Sequence, residues 1–162
     1  MKRIILLRHA KAGPAGPGGS DRDRPLTSEG REAAVAIGRL LAGAAEIPDL
    51  AISSSALRAL TTLELAAEAG GWACPVEASD DLYEDGPAEV LEIIRSQDEA
   101  TQRLLLVGHD PAWSRFASTL IGGGALRIRA GTATAIDCDV DSWNEVGEGC
   151  GRLQWMVPSA FG

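Results

Sequence analysis

Aromatic residues make up only 4% of this 162-residue chain, and histidine occurs twice. A core poor in rings must be built from Leu, Ile, Val and Ala, which supply most of the 45% hydrophobic content. Cysteine is equally sparse: Cys74, Cys138 and Cys150 form no CxxC pair. An odd, scattered set argues against a disulfide framework and for a reducing, cytoplasmic setting. With His9 and His109 far apart in sequence and no cysteine cluster beside either, no metal site and no cofactor are expected. Positive charge is also short, 15 Lys and Arg against 23 Asp and Glu, for a net charge of -8. That balance argues against a nucleic-acid surface or an anionic membrane as partner. No apolar run approaches the roughly 20 residues of a membrane span. The Met1-Lys2-Arg3 start with its four apolar followers is cut off at Arg8, too early for a secretion signal.

What the chain does have is a regular alternation of apolar runs and helical patterns. Residues 3 to 8 read as a strand buried on both faces, since Ile4 to Leu7 are continuous rather than alternating. Gly13 to Gly19, with Pro14 and Pro17, is a loop. A helix is predicted over about 28–43, capped by Thr27 or Ser28, with an apolar stripe of Ala34, Ile37, Leu40 and Leu41. A strand over 49–53 follows, then a helix over 56–69 ending at Gly70-Gly71. A short strand is expected near Val76, and a helix opening at Pro87. A strand over 103–107 leads to a helix capped by Asp110, whose Trp113, Phe116 and Leu120 face the core. Segments 132–138 and 152–157 read as a late hairpin at a sheet edge. The sum is one domain over 1–162, a three-layer α/β/α sandwich with a mainly parallel central sheet.

In such folds ligands sit beyond the carboxyl ends of the strands. Arg8 and His9 close the first strand, Ser53 and Ser54 the second, and His109 follows the strand over 103–107. Arg58 opens the helix after the serines. Convergence of these ends would place two guanidiniums and two imidazoles around one point, a set suited to a phosphoryl group. A neutral imidazole with Nδ1–H held by a carbonyl can attack phosphorus through Nε2. His9, on a rigid strand, is the candidate nucleophile, and His109, Arg8 and Arg58 are candidates to hold the transferring oxygens. Arg24 is a candidate arm at the pocket rim. Ser54 would either donate to the phosphate or close the turn.

The motifs carrying these residues resemble a known family. "LLRHAKA" resembles the Arg-His-Gly signature of the histidine phosphatase superfamily, the phosphoglycerate-mutase-like proteins. "RPLTSEG" resembles its PLT segment, "SSSALRALTT" its Ser-Pro-x-x-Arg-Ala-x-Gln-Thr element, and "LLLVGHDPAW" its second-histidine motif. The short length and "RHAKA…RPLT" most resemble the SixA-like branch of protein phosphohistidine phosphatases. The resemblance implies a phosphoglycerate-mutase-like fold with a minimal cap, His9 as nucleophile, and Arg8, Arg58 and His109 as the phosphate pocket. It also implies an acid in "DDLYEDG", where Glu84 is preferred over Asp81 and Asp85. Ala10 stands where the family usually has glycine, Ser55 where proline is common, and Thr61 where glutamine is common.

The expected activity is therefore metal-independent hydrolysis of phosphohistidine, on a protein, through phospho-His9. The alternatives are a phosphatase for small phosphoesters such as sugar phosphates, and a module that binds phosphate or a phosphoprotein without turnover. The partner is accordingly a phosphorylated protein or a small phosphorylated metabolite, and the chain is expected to be a monomer.

Overall fold

The central strand β1, Lys2–Arg8, explains the rest of the architecture. Ile4, Ile5, Leu6 and Leu7 are all fully buried, which requires helices on both faces of the sheet. The computed structural model describes residues 1–84 and 86–159, with Glu84 described by its backbone alone. Its further strands are β2 (Leu50–Ser54), β3 (Val76–Ser79), β4 (Arg103–Gly108), β5 (Thr132–Cys138) and β6 (Gly151–Pro158). The helices are α1 (Ser28–Gly43), α2 (Leu57–Gly70), α3 (Asp81–Glu84), α4 (Pro87–Arg95) and α5 (Ala112–Leu120). Strand order is β3-β2-β4-β1-β5-β6. The first four are parallel, and β5 and β6 close the sheet as an antiparallel pair. The sheet is therefore mixed but mostly parallel, in the α/β/α sandwich expected.

Alternation along β1 sorts the two cores. Ile4 and Leu6 pack with Val90 and Ile94 of α4 and Trp113, Phe116 and Leu120 of α5. Ile5 and Leu7 pack with Ile37 and Leu41 of α1 and Ala59 and Leu63 of α2. Thr27 caps α1, its Oγ1 accepting from Gly30 N–H at 3.0 Å. The expected stripe on α1 needs one correction: Leu40 is 40% exposed, while Gly38 is buried against α2. The reason is close approach, since a Cβ on Gly38 would lie 2.1 Å from the Ala66 carbonyl oxygen. That contact turns the 34/37/38/41 face inward and leaves Leu40 outside.

Three features escaped the sequence pattern, one of them a 3-10 turn at Trp143–Glu145 between β5 and β6. The single-turn α3 is too short to show periodicity, and a 3-10 turn at Asp21–Asp23 follows the Gly/Pro loop. Asp110 acts as the cap expected of it, its Oδ1 accepting from Ser114 N–H at 3.1 Å, although Pro111 is the residue flanking α5. Among the described residues, no helix is long and apolar enough to cross a membrane.

Candidate active site

The carboxyl ends of β1, β2 and β4 bring the predicted residues together. His9 N–H donates to Gly108 O at 3.0 Å, and Gly131 N–H is shared between Arg8 O and His9 O, 3.1 Å from each. The nucleophile candidate is thus fixed from both sides by its neighbours in the sheet. The His9 and His109 rings lie 5.1 Å apart, centroid to centroid.

Hydrogen bonds assign the tautomers of both rings. His9 Nδ1 is 2.7 Å from Ala10 O, which only accepts, so Nδ1 carries the proton and the Nε2 lone pair is free. Arg58 Nη2 only donates, 3.4 Å from His109 Nδ1, so that atom accepts and the proton sits on Nε2. His109 Nε2–H then donates to Ser54 Oγ at 2.8 Å. The same oxygen takes Ala56 N–H at 3.2 Å, so fully buried Ser54 holds His109 and the turn into α2 together.

Both imidazoles are neutral at pH 7. Burial pushes His9 down to about 4, opposed by the Ala10 carbonyl and reinforced by the charges of Arg58, Arg8 and Arg24. Burial, then His9 and Arg58, push His109 to about 3.

Both guanidiniums are anchored through their Nη atoms and have an Nε–H left over. Arg8 Nη1 donates to Ile128 O at 3.0 Å. Arg58 donates from Nη1 to Asp21 O at 2.8 Å and pairs through Nη2 with the Asp21 carboxylate at 3.1 Å. The Nε–H of each is buried without a hydrogen-bond partner among the described residues. Two buried cationic donors left unpaired suit an anion better than any neutral ligand. Arg24 donates from Nε to Gly13 O at 3.0 Å and from Nη1 to Asp21 at 3.3 Å, sharing that carboxylate with Arg58. The Glu84 side chain lies outside the described residues. Among those residues no group of three or more His, Cys, Asp or Glu side chains is placed to hold a metal ion.

Three residues the sequence reading did not single out complete the site. Asp21 joins Arg58, Arg24 and Tyr83, whose hydroxyl donates to Oδ2 at 2.9 Å. That hydroxyl first, then the arginines, hold the Asp21 carboxyl down at about 2. Tyr83 in turn sets its ring edge-on to His109, with centroids 5.8 Å apart. Thr62, one turn after Arg58, donates to Arg58 O at 2.6 Å and accepts Ala10 N–H at 3.0 Å. Its i+4 spacing from Arg58 was the available signal. Asp21 offered none, because its neighbours at the site come from distant parts of the chain.

Two of the family departures have local explanations. Ala10 is fully buried with Leu26 and Ala34, so its methyl fills space between β1 and α1. Ser55 Oγ donates to Asp80 at 2.5 Å, and Asp80 also pairs with Arg22 at 2.8 Å. Nothing in the structure explains Thr61.

The sequence model of the histidine phosphatase superfamily (branch 1) matches residues 4–116. An uncharacterised protein of Mycobacterium tuberculosis is 38% identical over 116 residues, covering 70% of this chain and 69% of its own. Two solved structures are similar over nearly their whole length. One, named for the phosphohistidine phosphatase SixA of Nakamurella multipartitia, is 28% identical with a TM-score of 0.85, covering 98% of this chain and 97% of the other. The second, named for SixA of Agrobacterium tumefaciens, is 28% identical with a TM-score of 0.81, covering 96% and 97%.

Proposed function

The chain belongs to the histidine phosphatase superfamily, and on that premise we propose that it hydrolyses phosphohistidine carried by a protein, with His9 as the nucleophile. The observation that carries the reading is the pairing of a free, neutral His9 Nε2 with two buried guanidinium Nε–H donors that lack partners.

In the first step the His9 Nε2 lone pair forms an N–P bond, and the substrate's N–P bond breaks. The departing ring, already protonated on its other nitrogen, keeps the bonding pair and leaves as neutral imidazole, so no further proton transfer is needed. Arg8 and Arg58 supply donors for the equatorial oxygens, where donors aimed at developing charge contribute most, while His109, its Nε2–H given to Ser54, accepts from Arg58 and holds that guanidinium in place. His9 keeps its Nδ1 proton on the Ala10 carbonyl, so the phosphorylated ring is an imidazolium and a good leaving group. In the second step water forms the new O–P bond, the pair returns to Nε2, and one proton of that water passes to solvent. Ser54 acts as a positioning residue for His109 in this scheme, and Arg24 as part of the rim that lowers the His9 pKa.

Imidazole is a far better leaving group than an alkoxide, so this reaction does not require a strong general acid. The second reading, a phosphatase for small phosphoesters, requires one, and Glu84 is the candidate. A turnover comparison separates the two. The wild-type protein is expected to hydrolyse phosphohistidine well above a sugar phosphate, and His9→Ala to abolish both. Glu84→Gln should leave phosphohistidine turnover within about threefold, because the acid supplies its 10²–10⁴-fold only to poor leaving groups. Preferred hydrolysis of the sugar phosphate, lost in Glu84→Gln, would favour the second reading. Phosphate binding without turnover of either substrate would leave only a binding module.

A further inference from the structure

We propose that the groove beside the phosphoryl pocket, edged by Arg127 and Arg129, docks an acidic segment of the protein that carries the phosphohistidine. This rests on the phosphatase reading and names the partner surface it would use. The groove has a volume of about 560 Å³, with Lys11, Glu29, Arg127 and Arg129 as its charged lining and Ala33, Met156 and Pro158 among its apolar lining. Lys11 on its edge follows His9 by two positions in the chain, and the groove is far larger than a phosphoryl group needs, so it suits the chain around the phosphorylated residue.

Its position is set by the catalytic strand ends. Ile128, between the two arginines, is fully buried and gives its carbonyl to Arg8 at 3.0 Å. Ile128 N–H donates to Ser114 Oγ at 2.9 Å, and that hydroxyl donates to Asp110 at 2.5 Å, next to His109. Gly131 closes the segment on Arg8 and His9. Arg127 and Arg129 are therefore exposed charges on a segment anchored to the nucleophile strand and to the turn after β4.

Charge decides the occupant. Most arginines of this net-negative chain pair with carboxylates or carbonyls, as Arg3, Arg24, Arg58, Arg103 and Arg152 do. The guanidiniums of Arg127 and Arg129 have no hydrogen bond or ion pair among the described residues, although the Arg129 carbonyl accepts from Thr132 N–H at 3.0 Å. Lys11 is paired with Glu29 at 2.6 Å, which leaves the arginines as the groove's excess charge. Unpaired surface cations on an anionic protein attract an anionic partner, raising its encounter rate and fixing its register.

The test compares three substrates: free phosphohistidine, a phosphohistidyl peptide flanked by Asp and Glu, and the same peptide flanked by Ser and Gly. Wild type should favour the acidic peptide by about tenfold in kcat/KM at low salt, a preference that high salt weakens. Arg127→Glu/Arg129→Glu should remove the preference while free phosphohistidine turnover stays unchanged, which also shows that the variant is folded. Arg127→Gln/Arg129→Gln should fall between. Equal use of both peptides by wild type, or a preference that survives charge reversal, would overturn the docking proposal with the phosphatase reading intact. Hydrolysis of none of the three would instead overturn the reading on which the proposal rests.

Discussion

A histidine that attacks phosphorus must be deprotonated, and His9 is held in that state with its ring oriented by a backbone carbonyl. Burial and three arginines disfavour the imidazolium, while the backbone of the next residue fixes the tautomer. Because His9 and His109 are the only histidines in the chain, imidazole NMR titration of the ligand-free protein reads the two directly. Both rings should stay neutral down to about pH 5. A midpoint near the ordinary 6.5 for either ring would contradict the electrostatics described. At this scale the sequence revealed the groups with distinctive chemistry, His9, His109, Arg8 and Arg58, because each sits in a recognisable strand-end motif. It did not reveal Asp21, Tyr83 or Thr62. Their parts depend on hydrogen bonds between segments, such as Asp21 to Arg58 across 37 positions, that no local pattern encodes.

Elements hold these groups in place by close backbone approach. Gly38 lets α1 lie against the Ala66 carbonyl of α2, the helix whose first turn carries Arg58. Gly38→Ala should cost roughly 1–3 kcal/mol by overpacking. Urea unfolding would register this as a lower midpoint with an unchanged slope, and a midpoint equal to wild type would show that α1 can shift freely. The strands and long helices were readable because continuous apolar runs and 3.6-residue spacing leave strong local signals. The single-turn α3 lacks the length to leave one. The misread Leu40 has a different cause: hydrophobicity alone cannot tell which of two adjacent apolar faces a glycine contact will bury.

For the molecule as a whole, neutral, partly buried histidines tie stability to pH. Their pKa values in the folded state, about 4 and about 3, lie below the ordinary 6.5, so the unfolded chain binds more protons in the interval. Stability is then complete above about pH 6.5 and falls as pH drops through 5 toward 4 and 3. Between about pH 7 and 5 no other side chain has an ordinary pKa. Denaturant unfolding at those two pH values should therefore show wild type weakening more than His9→Gln, and an identical loss in both would contradict the assignment. At this scale the α/β sandwich was legible from the order of strands and helices. The strand order was not, because placing β1 between β4 and the antiparallel β5 is a choice of pairing among distant segments.

The central claim is that the phosphoryl group passes through His9. Rapid quenching of the protein with a labelled phosphohistidine substrate, followed by mapping of the bound phosphoryl group by mass spectrometry, tests it directly. The account predicts an acid-labile, base-stable label on His9, formed as fast as turnover and absent from His9→Ala. Turnover with no protein-bound phosphoryl group, or a label on any other residue, would contradict it.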